Sequence, residues 1–366
     1  MDSAYEKELK IAFGALQNAS KLSQLIISSK DKGVIEKEDL SPVTIADFAI
    51  QALLIGTFKN AFPNDTFVGE EDAADLRTNS VLLERVWELL NRIAGDEAAL
   101  STCTLPRTKE QMCDLIDQAG SSSPGGHGSG RVWVFDPIDG TKTYLRGELY
   151  AINIGLIVDG KQAVGVVGCP NMSIDAKAPL HNRDIDPLSE GCIAYAVKGR
   201  GAFVRPMHEG TTSSTALTSR RLELQPPILN LKDIRFVTCV GIVDSALDGV
   251  HEAVAEKLGV PFPGSDLVPW VLRWAVLAMG LGNTTVWVYK RRDRYAKAWD
   301  HAGAMLLYEE TGGKITDVHG KDIDWTAGRK MSANFGFVAA PADVHAKVLD
   351  VVHSVLREQG RHEYLE

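Results

Sequence analysis

Residues 133–141 read Trp133-Val-Phe-Asp-Pro-Ile-Asp-Gly-Thr141, an apolar run that closes on two carboxylates and a hydroxyl. Arg131 to Phe135 has the aromatic and β-branched content of a buried strand, so the sequence predicts that a strand delivers Asp136 and Asp139 into a tight turn. There the two carboxylates can converge on one cation. Pro137 fixes its own φ and Gly140 relieves steric restriction, which lets the carbonyl of Ile138 turn inward as a further hard oxygen ligand. Ligation by oxygen alone points to magnesium or manganese and away from zinc. The plain alternative is an Asp-Gly turn that closes a hairpin and holds no ion.

On the amino-terminal side, Leu9, Ala12, Phe13, Leu16, Leu22, Leu25 and Ile26 recur at helical spacing, which predicts an amphipathic helix from Tyr5 to before Lys32-Gly33. A second helix is expected from about Thr44 to Lys59 and a third from Val81 to Ile93. The stretch from Ser121 to Gly130 is too rich in small and turn residues for a regular element. On the carboxyl-terminal side, Tyr150–Val158 and Gln162–Val167 flank Asp159-Gly160, a hairpin signal. A second hairpin joins Cys192–Val197 to Ala202–Val204, and Glu209 to Ser219 forms a polar excursion. Strand and helix then alternate through Ile234–Cys239, Ser245–Leu258, Val268–Met279, Thr284–Tyr289, Trp299–Thr311, Gly336–Ala339 and a helix from Ala342. The pattern predicts an α+β domain over 1–170 and a more α/β domain over 171–366.

Composition narrows the function classes. The 366 residues, 45% hydrophobic, suffice for one large or two moderate cores. A net charge of -9 disfavours a nucleic-acid backbone or an anionic membrane surface as principal partner and leaves small anions open. Five scattered cysteines without a C-x-x-C spacing fit reduced thiols. Met1 to Lys10 lacks an apolar signal region and no later run reaches the length of a membrane span, so the expected location is the cytosol or nucleus.

Three further acidic segments accompany the first. Val68-Gly-Glu-Glu71 ends an apolar run, Thr44-Ile-Ala-Asp47 opens a helix, and Trp299-Asp-His-Ala-Gly303 opens another. Singly, Asp47 reads as the third position of a capping box, Asp300 as a helix cap, and Glu70 and Glu71 as a solvated turn. Together, in this order, the four segments resemble the inositol monophosphatase superfamily of magnesium-dependent, lithium-sensitive phosphatases, with the motifs spanning 41–317. Gly140-Thr-Lys-Thr-Tyr-Leu-Arg-Gly147, Gly168-Cys-Pro170 and Ala196-Val-Lys-Gly-Arg-Gly-Ala-Phe203 look most like the 3'(2'),5'-bisphosphate nucleotidases, which remove the 3'-phosphate from adenosine 3',5'-bisphosphate. The resemblance implies an α-β-α-β-α sandwich. It implies metal ligation by Glu70, Asp136, the Ile138 carbonyl, Asp139 and Asp300, and a water oriented and deprotonated by Asp47 and Thr141. Gly140 and Thr141 would border the substrate, with Glu71 and Lys142 behind the ligands. Two or three divalent ions so held would lower the pKa of a water and neutralise phosphoryl charge. The sequence accordingly contains no G-x-S-x-G elbow, H-E-x-x-H or P-loop.

The resemblance breaks in the segments that select substrate. Nucleotidases of this group carry a Gly-His-Ser-Ser-His run, a Ser-x-x-Lys on a helix and an arginine on the next strand. The corresponding stretches here are Val243-Asp-Ser-Ala-Leu247, Trp270-Val-Leu-Arg273 and a strand carrying Trp287. Asp244, Trp270, Arg273 and Trp287 are therefore the candidate specificity residues, although Trp270 and Trp274, four apart, equally read as core packing. Lys290-Arg-Arg-Asp-Arg294 reads as a solvated turn or as an anchor for a second phosphate. Three functions stay open: a bisphosphate nucleotidase, a phosphatase of the same lineage acting on another small phosphorylated metabolite, and a metal-dependent lyase or cyclase acting on a diphosphate. A monomer is expected, with a homodimer as the alternative.

Overall fold

The computed structural model describes residues 5–27, 35–36, 42–120, 130–208, 219–241 and 245–365. Three of the expectations above fall outside them: the 121–130 loop except Gly130, the 209–219 excursion except Ser219, and Asp244. Near the amino terminus, the helix Glu6–Ile27 packs on the helix Ile45–Ala61, which is buried at every position from Ile45 to Phe58. Thr44 caps that second helix: its hydroxyl accepts the Asp47 N–H while the Asp47 carboxylate accepts the Thr44 N–H, a reciprocal capping box.

Seven strands form one sheet, in the order Thr66–Gly69, Arg131–Asp139, Ala151–Val158, Lys161–Cys169, Cys192–Val197, Gly201–Pro206 and Arg220–Arg221. The first pair is parallel and the others are antiparallel. Both faces are covered, so the central strands read as nearly unbroken apolar runs, with side chains alternating between two cores. Trp133, Phe135, Ile152 and Ile154 pack under the amino-terminal helices. Val132, Val134, Val167 and Ala194 face the carboxyl-terminal half. There the helices Trp270–Ala278 and Ala304–Glu309 lie on the sheet, followed by the three-stranded sheet of Thr285–Trp287, Phe337–Pro341 and Gly313–Thr316, and by the helices Val250–Leu258 and His345–Glu358. The result is the expected α-β-α-β-α order of layers. The boundary expected near residue 170 falls between two paired strands of one sheet, with Cys169 opposite Cys192. No helix among the described residues is long and apolar enough to cross a membrane.

Several elements differ from expectation in ways that matter for the site. The central strand runs on to Asp139, with a register irregularity between Asp136 and Asp139, so the two carboxylates ride the bulged end of a strand and not a free turn. Trp299–Thr311 is not one helix: a 3-10 turn, Ala298–Asp300, precedes the helix Ala304–Glu309, and Gly303 at φ 83 separates them. The first helical residue after Pro269 is Trp270, and the segment 245–249 precedes the helix that begins at Val250. The helix Lys109–Gly120, unassigned from sequence, buries Met112, Leu115, Ile116 and Ala119 at helical spacing.

The sheet is shaped to receive the Asp300 loop. Gly155 and Gly165 are register partners on adjacent strands. A Cβ on Gly155 would lie 2.6 Å from the carbonyl oxygen of Ala302, and one on Gly165 would overlap the carbonyl of Gly303. Because the obstructing atoms are backbone, relief requires the loop to move. Gly165→Ala is expected to cost about 1 to 3 kcal/mol in urea denaturation, while Gly95→Ala, whose Cβ meets nothing within 4 Å, stays near wild type. Equal stability of the two variants would contradict this account of the loop.

Candidate active site

Carboxylate oxygens of Asp136, Asp139 and Asp300 all lie within 4.8 Å of one another. Asp136 is buried, and among the described residues no N–H or hydroxyl donates to either of its oxygens; its close neighbour is the Asp300 carboxyl itself. Burial first, then the charges of Glu70, Asp139, Asp300 and Asp47, push the Asp136 carboxyl well above the usual carboxylate range. Burial likewise raises Asp300, with Asp139 and Glu70 adding to it. Asp139 rises to about 7 by burial, against the opposing pull of the Val271 N–H, the Arg273 charge and the Trp270 N–H. Its Oδ2 accepts from the Val271 N–H at 2.5 Å, so the first turn of the helix Trp270–Ala278 points its free amides at this carboxylate. Buried acidic oxygens without donors are strongly destabilising unless neutralised. All the donors are hard oxygens, and their spacing fits one or more hard divalent cations.

Each ligand-bearing segment is held by a specific device. Asn153, opposite Asp136 in the sheet, donates its amide to the carbonyls of Trp299 at 2.7 Å and Ala302 at 2.8 Å, and Gln162 accepts the Gly303 N–H at 2.8 Å. These bonds seat the Asp300 loop over the two glycines. Gln51, buried in the second helix, clamps Glu71 from both sides: Oε1 accepts its N–H at 2.9 Å and Nε2 donates to its carbonyl at 2.7 Å. Arg329 stacks on Trp299 and donates to the carbonyls of Ala119 at 2.6 Å and Glu70 at 3.4 Å. Sequence reasoning passed over Asn153, Gln51 and Arg329. The first two left a signal, a lone amide inside an otherwise apolar element; Arg329 left none.

The predicted site residues come to rest as follows. Gly140 adopts φ 87 and ends the strand; a Cβ there would sit 2.5 Å from the Pro269 ring, so the Asp139 turn and the Trp270 helix touch. Thr141 begins a short helix, Thr141–Leu145, that also carries Lys142, and its hydroxyl faces the Ile138 carbonyl at 3.4 Å. Asp47 is buried in its capping box and close enough to Asp136 to raise that carboxyl. Glu70 is half-buried and Glu71 buried. Trp270 is half-buried beside Asp139, whereas Arg273 and Trp287 are each only 2% exposed. His301, next to Asp300, accepts the Trp274 indole N–H on Nδ1 at 3.0 Å, and burial, with help from the Arg273 charge, keeps it neutral.

The chain matches the family model described as the inositol monophosphatase family over residues 4–357. It is 37% identical to a 3'(2'),5'-bisphosphate nucleotidase of Emericella nidulans, covering 97% of this chain and 99% of that one. It is 36% identical to the enzyme of that name from Schizosaccharomyces pombe, covering 96% of both chains, and 32% identical to the one from Oryza sativa, covering 98% of this chain and 96% of that one. Among solved structures, the Thermotoga maritima IMPase superimposes with a TM-score of 0.59 at 17% identity, over 96% of this chain and 99% of that one. The extragenic suppressor protein suhB of Bartonella henselae gives 0.58 at 16% identity, over 95% and 98%. The layered fold is therefore the one these phosphatases share. With the family match running from residue 4 to residue 357, the chain belongs to the inositol monophosphatase family and is a phosphoric monoester hydrolase.

Proposed function

We propose that the chain is a magnesium-dependent, lithium-sensitive phosphomonoesterase of the 3'(2'),5'-bisphosphate nucleotidase type, converting adenosine 3',5'-bisphosphate to AMP and phosphate. The observation that carries this reading is the cluster of Asp136, Asp139 and Asp300, in which Asp136 is buried and offers two oxygens that no group among the described residues donates to. The names of the fungal and plant relatives support the substrate. Glu70, Asp136, the Ile138 carbonyl, Asp139 and Asp300 would hold magnesium, which when bound acidifies a water and neutralises phosphoryl charge. Asp47 accepts the proton of the attacking water, with Thr141 orienting it. The water oxygen bonds to phosphorus in line with the ester oxygen, which leaves and takes up a proton. The amides at the start of the Trp270 helix keep Asp139 fixed through this step. Arg329 and Gln51 hold the backbone of Glu70 and Glu71 in register with it.

A phosphatase acting on a different small phosphorylated metabolite is favoured by one observation, the aromatic wall formed by Trp270 and Trp287. Both readings share the metal site and the hydrolytic step.

Asp136→Asn removes a charge from the cluster at constant volume, so phosphate release should fall by at least roughly a hundredfold, the scale on which single preorganised contacts act, while circular dichroism stays native. Near-normal release would sink the metal assignment. The raised carboxyls give a second outcome. A group whose folded pKa is lifted, as Asp139 is to about 7, contributes stability at acid pH that is lost as pH rises through that value. The metal-free fold is thus weakest when the cluster is fully charged, and magnesium, which binds the charged form, should raise Tm more at pH 8 than at pH 5. Equal shifts at the two pH values, read by differential scanning fluorimetry, would contradict it.

A further inference from the structure

On the phosphatase reading given above, we infer that this site selects its substrate with an aromatic wall and not with a second anion contact, so that it takes phosphate esters whose leaving group presents an apolar or aromatic face, the adenosine of the bisphosphate included, without drawing on a second phosphate. The wall stands directly beside the reacting carboxylates. The Trp270 backbone N–H lies on Asp139, Pro269 packs against Gly140, and the Trp270 ring meets His301, the neighbour of Asp300, edge to face at 5.1 Å. Behind the ring, Trp274 stacks at 5.9 Å, Trp287 approaches edge-on at 5.2 Å and Phe337 at 5.5 Å. A phosphoryl group bound at Asp136, Asp139 and Asp300 therefore carries its ester substituent past the half-buried Trp270 indole on this side.

The cation of this wall is withheld from the surface. Arg273 lies 4.0 Å from the Trp270 ring and 4.8 Å from the Trp287 ring. Its Nε donates to the Leu267 carbonyl at 2.7 Å and its Nη2 to the Val268 carbonyl at 2.9 Å. These bonds hold the segment that enters Trp270, which makes Arg273 a positioning residue. Among the described residues, two buried donors beside the indole have no partner, Nη1 of Arg273 and Nε1 of Trp287. Trp270 thus screens a donor pocket from the substrate. An anionic substituent arriving here loses water and gains no charge-assisted bond, whereas an aromatic one gains stacking area. A further source of positive charge is the exposed turn 290–294, in which Lys290 pairs with Asp248, Arg291 pairs with Asp293, and Arg294 lies near Tyr289.

The test compares kcat/KM of the magnesium-loaded full chain for adenosine 3',5'-bisphosphate, adenosine 3'-monophosphate and 1-naphthyl phosphate. In the wild type the two nucleotides should agree within tenfold. Trp270→Ser, which unscreens the two donors, should shift the ratio toward the bisphosphate by tenfold or more, chiefly through KM. Trp270→Phe, which keeps an aromatic face, should hold the wild-type ratio and decides the matter if the serine variant does not fold. A wild-type preference for the bisphosphate beyond tenfold overturns the inference, and loss of that preference in Arg294→Ala would assign the second phosphate to the exposed turn. Turnover of 1-naphthyl phosphate with neither nucleotide hydrolysed supports the wall and overturns the nucleotide assignment. Phosphate release from none of the three overturns the phosphatase reading itself, and this inference with it.

Discussion

The contact on which the rest of the site depends is the seating of the Trp299–Gly303 loop on the sheet. Two glycines side by side, Gly155 and Gly165, let backbone lie against backbone, and Asn153 and Gln162 supply the hydrogen bonds that the loop would otherwise seek from water. Asn153 is also the cross-strand partner of Asp136. One residue therefore ties the carboxylate of Asp136 on the sheet to the loop that carries Asp300. A side chain at either glycine would separate Asp300 from Asp136 without touching a carboxylate. The fold, in this sense, is a device for holding oxygen atoms at a set spacing.

That spacing opposes stability. Three clustered carboxyls, with Glu70 and Asp47 nearby, repel one another, and among the described residues Asp136 lacks the donors that a buried acid normally finds. Local structure offsets part of the strain: a helix start faces Asp139, a capping box engages Asp47, and the surrounding apolar layers on both faces of the sheet keep the frame rigid. The remainder is left for a cation, which ties occupancy of the site to its stability.

The carboxylate segments were legible in the sequence because each sets its acid or acids beside a recognisable local signal. Examples are the strand before Asp136, the Thr44 cap before Asp47, and the apolar run before Glu70. The capping box and the hairpin at Asp159-Gly160 appear where their residues require them. The geometry between segments was not legible. Trp299–Thr311 has helical composition, yet the close packing on Gly155 and Gly165 forces a 3-10 turn and a left-handed Gly303 into it, a tertiary override that no local pattern encodes. Asn153 and Gln51 stood out only as single amides in apolar runs, a signal that gains meaning once their partners are known. Arg273 keeps the charge expected of a substrate anchor, but its burial between two indoles depends on neighbours at 270 and 287 that meet only in three dimensions.

Asp136 and Asp139 belong to the middle of the chain, whereas Asp300 and the helix that steadies Asp139 come much later. Local hydrogen bonds and the early hairpins can form as soon as their residues exist, but the reactive centre waits for contacts of long sequence separation, the kind that close slowly. A polypeptide that ends before Asp300 lacks one of the three clustered carboxylates. Its acids stay hydrated at the sheet's end until the loop arrives. The three-carboxylate cluster is thus complete only once segments from both halves of the chain have come together.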